Sequence, residues 1–281
     1  MKKLSLLLAL FALALSFTSC DREGVYNPNK RISKSYIDTG EGKYLTSTWN
    51  WDGKLLRTID YHDLISGEIA YTNIFSYNDK DQIVSISDIT NNLTTKYFYY
   101  GNRFDKIVSY YNDEVSEIYL FEYDDNKLSE IKVVENGLFK NTNSTLNPLE
   151  FILPEESLEV INKSVLKAQE SRSFGGYEID IEWLGNNISM VEIEYSDNHT
   201  EKIMFKYDKM QNPFRDLWEH PSGMVSGGQA SKNNVTEMTR IVSFFGVQTI
   251  DTETYLYTYN GKFPVSKSDE NYTYKFYYEY E

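Results

Sequence analysis

Along most of the chain, apolar and polar residues alternate with a period of two. Tyr119, Phe121 and Tyr123 fall on one side of such a run, and Leu120 and Glu122 on the other, because successive side chains of a strand point to opposite faces. The run ends in Asp124-Asp125-Asn126, and a second run leaves through Leu128 and Ile131. Asp and Asn close turns through their own side chains and tolerate left-handed backbone, so this phrase predicts a β-hairpin. The same order returns around Trp51-Asp52-Gly53, Tyr77-Asn78-Asp79, Tyr100-Gly101-Asn102, Trp183-Leu184-Gly185, Tyr207-Asp208 and Tyr259-Asn260-Gly261. Tyr77, Tyr100 and Tyr123 stand 23 residues apart on each step, a spacing that reads as a repeated supersecondary unit.

Further along, Ile179, Ile181 and Trp183 oppose Asp180 and Glu182, and Val191, Ile193 and Tyr195 oppose Glu192 and Glu194. Such alternation belongs to antiparallel sheet with one buried and one wet face. The fold expected is therefore all-β: an antiparallel up-and-down meander of repeated hairpins, curled or barrel-like. The pattern breaks between Asn141 and Gly176. There Pro154-Glu155-Glu156 opens a segment in which Leu158, Ile161, Val165 and Ala168 share one helical face. Proline suits the first turn and carboxylates favour the positive end of the helix dipole, so one helix is expected near 154–169, as a cover over the sheet's apolar face. A glycine-rich stretch from Glu219 to Asn234 reads as a long loop.

The first residues have a different character. Met1-Lys2-Lys3 is positive, and Leu4 to Phe17 is an apolar run of signal-peptide length, short for a bilayer span. It ends at Thr18-Ser19-Cys20, which resembles the lipobox of bacterial lipoproteins, where the cysteine is acylated and becomes the mature N-terminus. The expected organisation is a signal peptide over 1–19, an acylated cysteine and tether over 20–30, and a single β-meander domain over 31–281. Cys20 is the only cysteine, so once it is acylated no disulfide chemistry remains. A chain of about 260 residues can bury roughly three quarters of its unfolded surface, so one hydrophobic core suffices.

The formal net charge is −14. An acidic domain repels phosphate backbones and anionic lipid headgroups, so nucleic acid is not an expected partner. Aromatic residues make up 15% of the chain. Tyr and Trp fill cores with a polar tip that reaches a partner, and they also stack on sugar rings. Their inward register makes core their first role. Trp218, beside the long loop with His220, is placed on neither face by alternation.

No nucleophile elbow, H-E-x-x-H, P-loop or dinucleotide-binding pattern is present in the sequence. His62, His199 and His220 are far apart and lie in or beside turns; no metal or cofactor is expected. Asp124-Asp125 reads as a solvated turn. Glu182, Glu192 and Glu194 have the chemistry of an acid/base pair, but their alternation with Trp, Val and Ile reads as a wet sheet face.

The lipobox and the hairpins of aromatic-x-Tyr-Asp/Asn-turn-Leu/Ile-x-x-Ile type, with Tyr207-Asp208 running to Asn212-Pro213-Phe214, resemble an uncharacterised family of Bacteroidota lipoproteins. That family is a domain of unknown function described as a porin-like, up-and-down β fold. The hairpin grammar is also similar to the YD repeats of Rhs-type proteins. The resemblance covers Ile32 to Tyr280, rests on turn and packing residues, and brings no catalytic residues with it.

Two functions are expected on these grounds. The first is a non-catalytic envelope lipoprotein, held to the outer membrane on its periplasmic or outer side by lipid on Cys20. It would bind glycan, peptide or a protein partner through loops, with Trp218 and His220 the ligand-binding candidates. The alternative is a half-barrel carrier or chaperone enclosing a lipid or another apolar ligand. An integral membrane barrel fits less well, because Tyr stands where lipid-facing Leu and Val belong.

Overall fold

The computed structural model describes residues 23–135, 177–195, 199–217, 231–269 and 274–281. Its first strands are β1 (Ile32–Asp38), β2 (Lys43–Asp52), β3 (Leu55–His62), β4 (Ile69–Tyr77) and β5 (Ile83–Asp88). Next come β6 (Leu93–Tyr100), β7 (Arg103–Tyr111), β8 (Glu114–Asp124), β9 (Lys127–Glu135), β10 (Tyr177–Leu184) and β11 (Asn187–Tyr195). The chain closes with β12 (His199–Tyr207), β13 (Val235–Phe244), β14 (Val247–Asn260), β15 (Phe263–Asp269) and β16 (Lys275–Tyr280). Each strand pairs antiparallel with its neighbours in sequence, and β1 pairs with β16, so the sheet is a closed barrel. The all-β meander expected from the alternation is the observed fold. The helix expected near 154–169 lies outside the described residues.

The repeated phrase has a specific structural meaning. Within the apolar pair that follows each turn, the two inward residues stand three apart: Leu56 and Ile59, Ile83 and Ile86, Phe104 and Ile107, Leu128 and Ile131, Ile188 and Val191. A regular strand would put such residues on opposite faces. Both face inward because a β-bulge sits between them, at Arg57, Val84, Asp105, Ser129 and Ser189, where the register shifts by one residue. Opposite each bulge stands an aromatic residue of the partner strand: Trp51, Tyr77, Tyr99, Tyr123 and Trp183. Further bulges at Thr236, Val265 and Ser33 face Tyr207, Tyr259 and Tyr280.

A bulge leaves a carbonyl without its ladder partner, and a buried carbonyl must be satisfied. The aromatic residue of the next hairpin does this. Tyr77 Oη donates to the Leu56 carbonyl (2.5 Å), Tyr99 to Ile83 (2.5 Å), Tyr123 to Phe104 (3.3 Å) and Tyr207 to Ile188 (2.6 Å). Trp183 Nε1 serves Leu128 (2.8 Å), Tyr280 serves Pro264 (2.6 Å) and Trp51 Nε1 serves Ile32 (2.9 Å), which carries the device across the β1–β16 seam. Tyr259 departs from the pattern and donates to the Asp208 carboxylate. This ring of bonds also corrects the 23-residue spacing. Tyr100 points outward and is 85% exposed. The inward equivalent of Tyr77 and Tyr123 is Tyr99, because Tyr100 occupies the place that Asp124 takes after Tyr123, directly before the turn.

The same end of the barrel is stoppered. Glu23 to Tyr26, part of the expected tether, packs inside the rim: Glu23 N donates to Asn102 O (2.9 Å) and Ile83 N to Gly24 O (2.9 Å). Gly24 has φ +76°, and a β-carbon there would meet the Tyr99 hydroxyl at 2.1 Å, so no other residue fits. Tyr26 is buried, lies 5.6 Å from the Trp51 ring and donates to the Pro213 carbonyl (2.9 Å). From the far wall, Phe214 and Leu217 enter the core, with Phe214 wedged between Trp49 (6.2 Å) and Tyr278 (5.4 Å). Ser231 to Asn234, read from sequence as part of an open loop, belong to this stopper. Asn212 N donates to Lys232 O (3.0 Å), and Asn234 Nδ2 to the Asp208 carboxylate (3.0 Å).

One carboxylate holds the N-terminal segment down. Glu23 Oε2 accepts from the Phe104 backbone N–H (2.7 Å) and from the Tyr123 hydroxyl (2.6 Å), whose single proton it shares with the longer contact to the Phe104 carbonyl. Burial raises its pKa above the ordinary 4.5, and these two bonds only partly offset the effect.

The outer wall is polar. Lys34, Lys96, Lys106, Lys132, Glu178, Asp180 and Lys202 all occupy outward strand positions, opposite in register to the buried set. A barrel that crosses a bilayer presents a tall apolar band instead, with charge at mid-depth strongly disfavoured. Charge at these positions counts against a wall that spans a bilayer, although Phe98, Leu120, Met204, Ile250 and Leu256 are also exposed.

Two outcomes test these points. Tyr77→Phe leaves the Leu56 carbonyl unpaired and should destabilise the protein by about 1–3 kcal/mol in denaturant titration, whereas Tyr100→Phe should change nothing. For Glu23, a folded-state pKa above the unfolded one means the folded protein binds more protons between the two values. Its share of stability therefore falls as pH rises through that window. Glu23→Gln should remove that share, so the stability difference between wild type and variant should drift with pH from about 4.5 upward. A constant difference would refute the assignment.

Candidate functional site

The interior is divided along the barrel axis. Its stoppered half is aromatic and aliphatic. Towards the other end, where the turns at 39–42, 63–68, 89–92, 112–113 and 245–246 lie, the inward positions turn polar. Ser35, Thr46 and Ser47 form one hydroxyl cluster, with Ser35 Oγ at 2.8 Å from Thr46 Oγ1 and 2.6 Å from Ser47 Oγ, and Trp49 Nε1 donating to Ser47 (2.8 Å). Next to it Tyr61 and Tyr71 stack at 4.7 Å. Around the wall follow Asn73 and its register partner Asp88, then Thr95 and its partner Ser109, all essentially buried. The Asp88 carboxylate is engaged by Asn91, through its backbone N–H (3.2 Å) and its side-chain amide (2.5 Å). Glu117 takes the Tyr119 hydroxyl (2.6 Å).

Thr95 and Ser109 stand apart from the rest of this band. They are 1% and 2% exposed, they face each other across β6 and β7, and neither hydroxyl has a hydrogen-bond partner among the described residues. A buried hydroxyl without a partner costs about 1–3 kcal/mol. Most buried polar groups are paired, so two adjacent inward hydroxyls without a described protein partner are placed to meet water or a polar ligand.

The opposite wall carries charge. Glu201 is fully buried, and Arg240 grips it through Nη2 to Oε1 (3.1 Å) and Nε to Oε2 (3.4 Å). His199 Nε2 lies 3.4 Å from the same Oε1, with its ring stacked on Tyr195 at 4.8 Å and edge-on to Phe244. A two-pronged Arg–carboxylate pair is directional and fixes both side chains. Beyond it, Lys267 sits over the Tyr255 ring (4.5 Å), and the Tyr255 hydroxyl donates to Glu253 (2.5 Å). The interior at this end thus carries hydroxyls and an amide on one wall, fixed charges on the other, and tyrosine faces between.

The candidates from sequence fall elsewhere. Cys20, Trp218 and His220 lie outside the described residues. His62 closes β3 on the outer surface with its Nε2 at 3.0 Å from Thr48 Oγ1, far in chain order from His199 on β12, and the structure does not bring them together. Asp124 and Asp125 are exposed in a turn. Glu182, Glu192 and Glu194 lie on the outer wall, as their alternation implied, and Glu192 pairs with Lys202 (2.9 Å). Asp180 stands directly opposite both Glu192 and Glu130, and its pKa is raised by partial burial and then by these and the neighbouring carboxylates. Sequence reasoning passed over Thr95, Ser109, Glu201 and Arg240. The one available signal was a hydroxyl or charge standing in the inward register, at positions where the repeat otherwise places aromatic or aliphatic groups.

No protein-family model and no curated protein matches the chain. Among solved structures, a porin-like protein from Bacteroides uniformis is 14% identical over 89% of this chain and 98% of its own, with a TM-score of 0.49. A porin-like protein from Bacteroides vulgatus is 8% identical over 90% of this chain and 99% of its own, with a TM-score of 0.34. A TcdB2–TccC3 structure matches at 9% identity over 82% of this chain and 15% of its own, with a TM-score of 0.21. At this level of similarity the fold rests on the strand pairing described above, and function rests on this chain's own residues.

Proposed function

We propose that the protein is a lipid-anchored envelope lipoprotein without catalytic activity, whose half-polar lumen binds a neutral, hydroxyl-rich ligand such as a glycan. The observation that carries this reading is the pair of buried, unpartnered hydroxyls on Thr95 and Ser109. Neutral donors and acceptors of a sugar satisfy such groups, and the stacked Tyr61 and Tyr71 rings supply the flat apolar faces that sugars also use. A lipid cargo would leave the hydroxyls as unsatisfied as before, so the apolar-carrier alternative is disfavoured. The expected loop site around Trp218 and His220 lies outside the described residues, between flanks, Asp208 to Leu217 and Ser231 to Asn234, that are built into the stoppered end. Anchoring rests on the Cys20 motif. One or two acyl chains hold a domain at a bilayer without spanning it.

The combined variant Thr95→Val and Ser109→Ala discriminates between these readings. Removing unpaired buried hydroxyls should stabilise the free protein by about 1 kcal/mol or more, seen as a rise in melting temperature. The same variant should lose wild-type binding on an array of neutral oligosaccharides. An array that shows no binding by the wild type, or equal binding by both proteins, would refute the lumen site. Anchoring is tested separately: Cys20→Ala should move the protein from the membrane to the soluble fraction, and unchanged fractionation would refute acylation.

A further inference from the structure

We propose that the projecting edge of β14, from Val247 to Glu253, is a docking site for a basic extended peptide, which adds to the sheet as one more strand. The site is separate from the interior band around Thr95 and Ser109.

The first argument is the height of the wall. β14 is the longest described strand, at 14 residues. Its pairing with β13 runs without a register shift from Thr254 opposite Glu237 to Val247 opposite Phe244. Its pairing with β15 begins only at Tyr255, opposite Asp269. Among the described residues, no strand pairs with the far side of Val247–Glu253. Every residue of this stretch is exposed, Val247 at 69% and Ile250 at 67%. The arm stands clear of β15 and presents a row of backbone N–H and C=O groups that a further strand can use.

The second argument is that the edge is ready-made. Phe245 and Gly246 turn the arm with φ of +47° and +80°, the tight hairpin geometry whose twist matches its strands. Val247, Thr249, Ile250 and Thr252 are β-branched and favour extended backbone. An edge already held by β13 loses little entropy on binding. Edges that must stay unpaired are commonly blunted by lysine, proline or a bulge, and Val247–Glu253 contains none of these.

The third argument is charge, which selects the partner. Asp251 stands opposite Arg240 and Glu253 opposite Met238, so both carboxylates lie on the inner face. Arg240 is committed to Glu201. Where β15 ends, Lys267 and Asp269 carry opposite signs, and on the outer face Lys206 pairs with Glu237 (2.7 Å). Asp251 accepts from the Thr252 N–H (2.9 Å) and Glu253 from the Tyr255 hydroxyl, each through one oxygen. Lysine or arginine at alternate residues of an added strand lies across from these two acids, and a β-branched residue between them meets Ile250 on the outer face. A second copy of this chain would bring the same carboxylates and a net charge of −14, which opposes self-pairing.

The probe is a synthetic heptapeptide of alternating lysine and valine, titrated calorimetrically into the full protein. It should bind, and amide hydrogen exchange across Gln248–Glu253 should slow. The same peptide methylated at every backbone amide keeps its charge but cannot add as a strand, so it should not bind, and neither should a glutamate–valine peptide. Asp251→Asn with Glu253→Gln, which keeps the shape of both side chains, should weaken the lysine peptide by about twofold to thirtyfold. Absence of binding by the wild type, equal binding of the methylated peptide, equal affinity in the variant, or slowed exchange confined to other strands would each overturn the proposal.

Discussion

A hydrogen bond from an aromatic tip to a bulged carbonyl, repeated around one rim, is the interaction on which the rest of the barrel depends. At Arg57, Val84, Asp105, Ser129 and Ser189 the bulge brings two apolar residues spaced three apart onto the inner face and leaves one carbonyl to be satisfied from inside. Tyr77, Tyr99, Tyr123, Tyr207, Tyr280, Trp51 and Trp183 supply the donors. Every such bond links one hairpin to the next, so inter-hairpin register is fixed by side chains as well as by the ladder. The ring also explains the wealth of Tyr: Phe has the same bulk and lacks the donor.

The two halves of the interior have different tasks, and their chemistry follows. Near the bulges, aromatic rings, Tyr26, Phe214 and Leu217 close the barrel with apolar contact. Near the opposite turns, hydroxyls, Asn73, Glu201 and Arg240 replace them. A solid apolar core throughout would be more stable. Thr95 and Ser109 place two hydroxyls on this face without a partner among the described residues, where water or a polar ligand would satisfy them.

Much of this was legible in the sequence. Alternation and turn chemistry located strands such as β8, β10 and β11, because both are local properties of a few residues. The Leu-x-x-Ile spacing was visible as well, but its meaning as a bulge was not, since the displaced carbonyl is answered from another hairpin. For the same reason Tyr100 was read in place of Tyr99: equal spacing is a property of the string, whereas facing inward depends on how far each residue stands from its turn. Glu23 looked like one more polar residue in a tether, because its partners Tyr123 and Phe104 lie 100 and 81 residues away along the chain. Thr95 and Ser109 read as ordinary strand residues, since burial without a partner is a property of the assembled wall.

The seam between β1 and β16 has a consequence for how the molecule comes into being. Every other strand pairs with the one before and the one after it, so the sheet can grow by adding hairpins in order as the chain is delivered, with small entropic loss at each addition. The seam joins the beginning of the sheet to its end and cannot form until the last strand arrives. Until then both edges of the curled sheet are exposed to pairing with other chains, and the closing of one long-range contact is the step expected to set the folding time. Beside that seam the Trp51 indole bonds to the Ile32 carbonyl, so in the closed barrel β2 braces the strand that meets the last one.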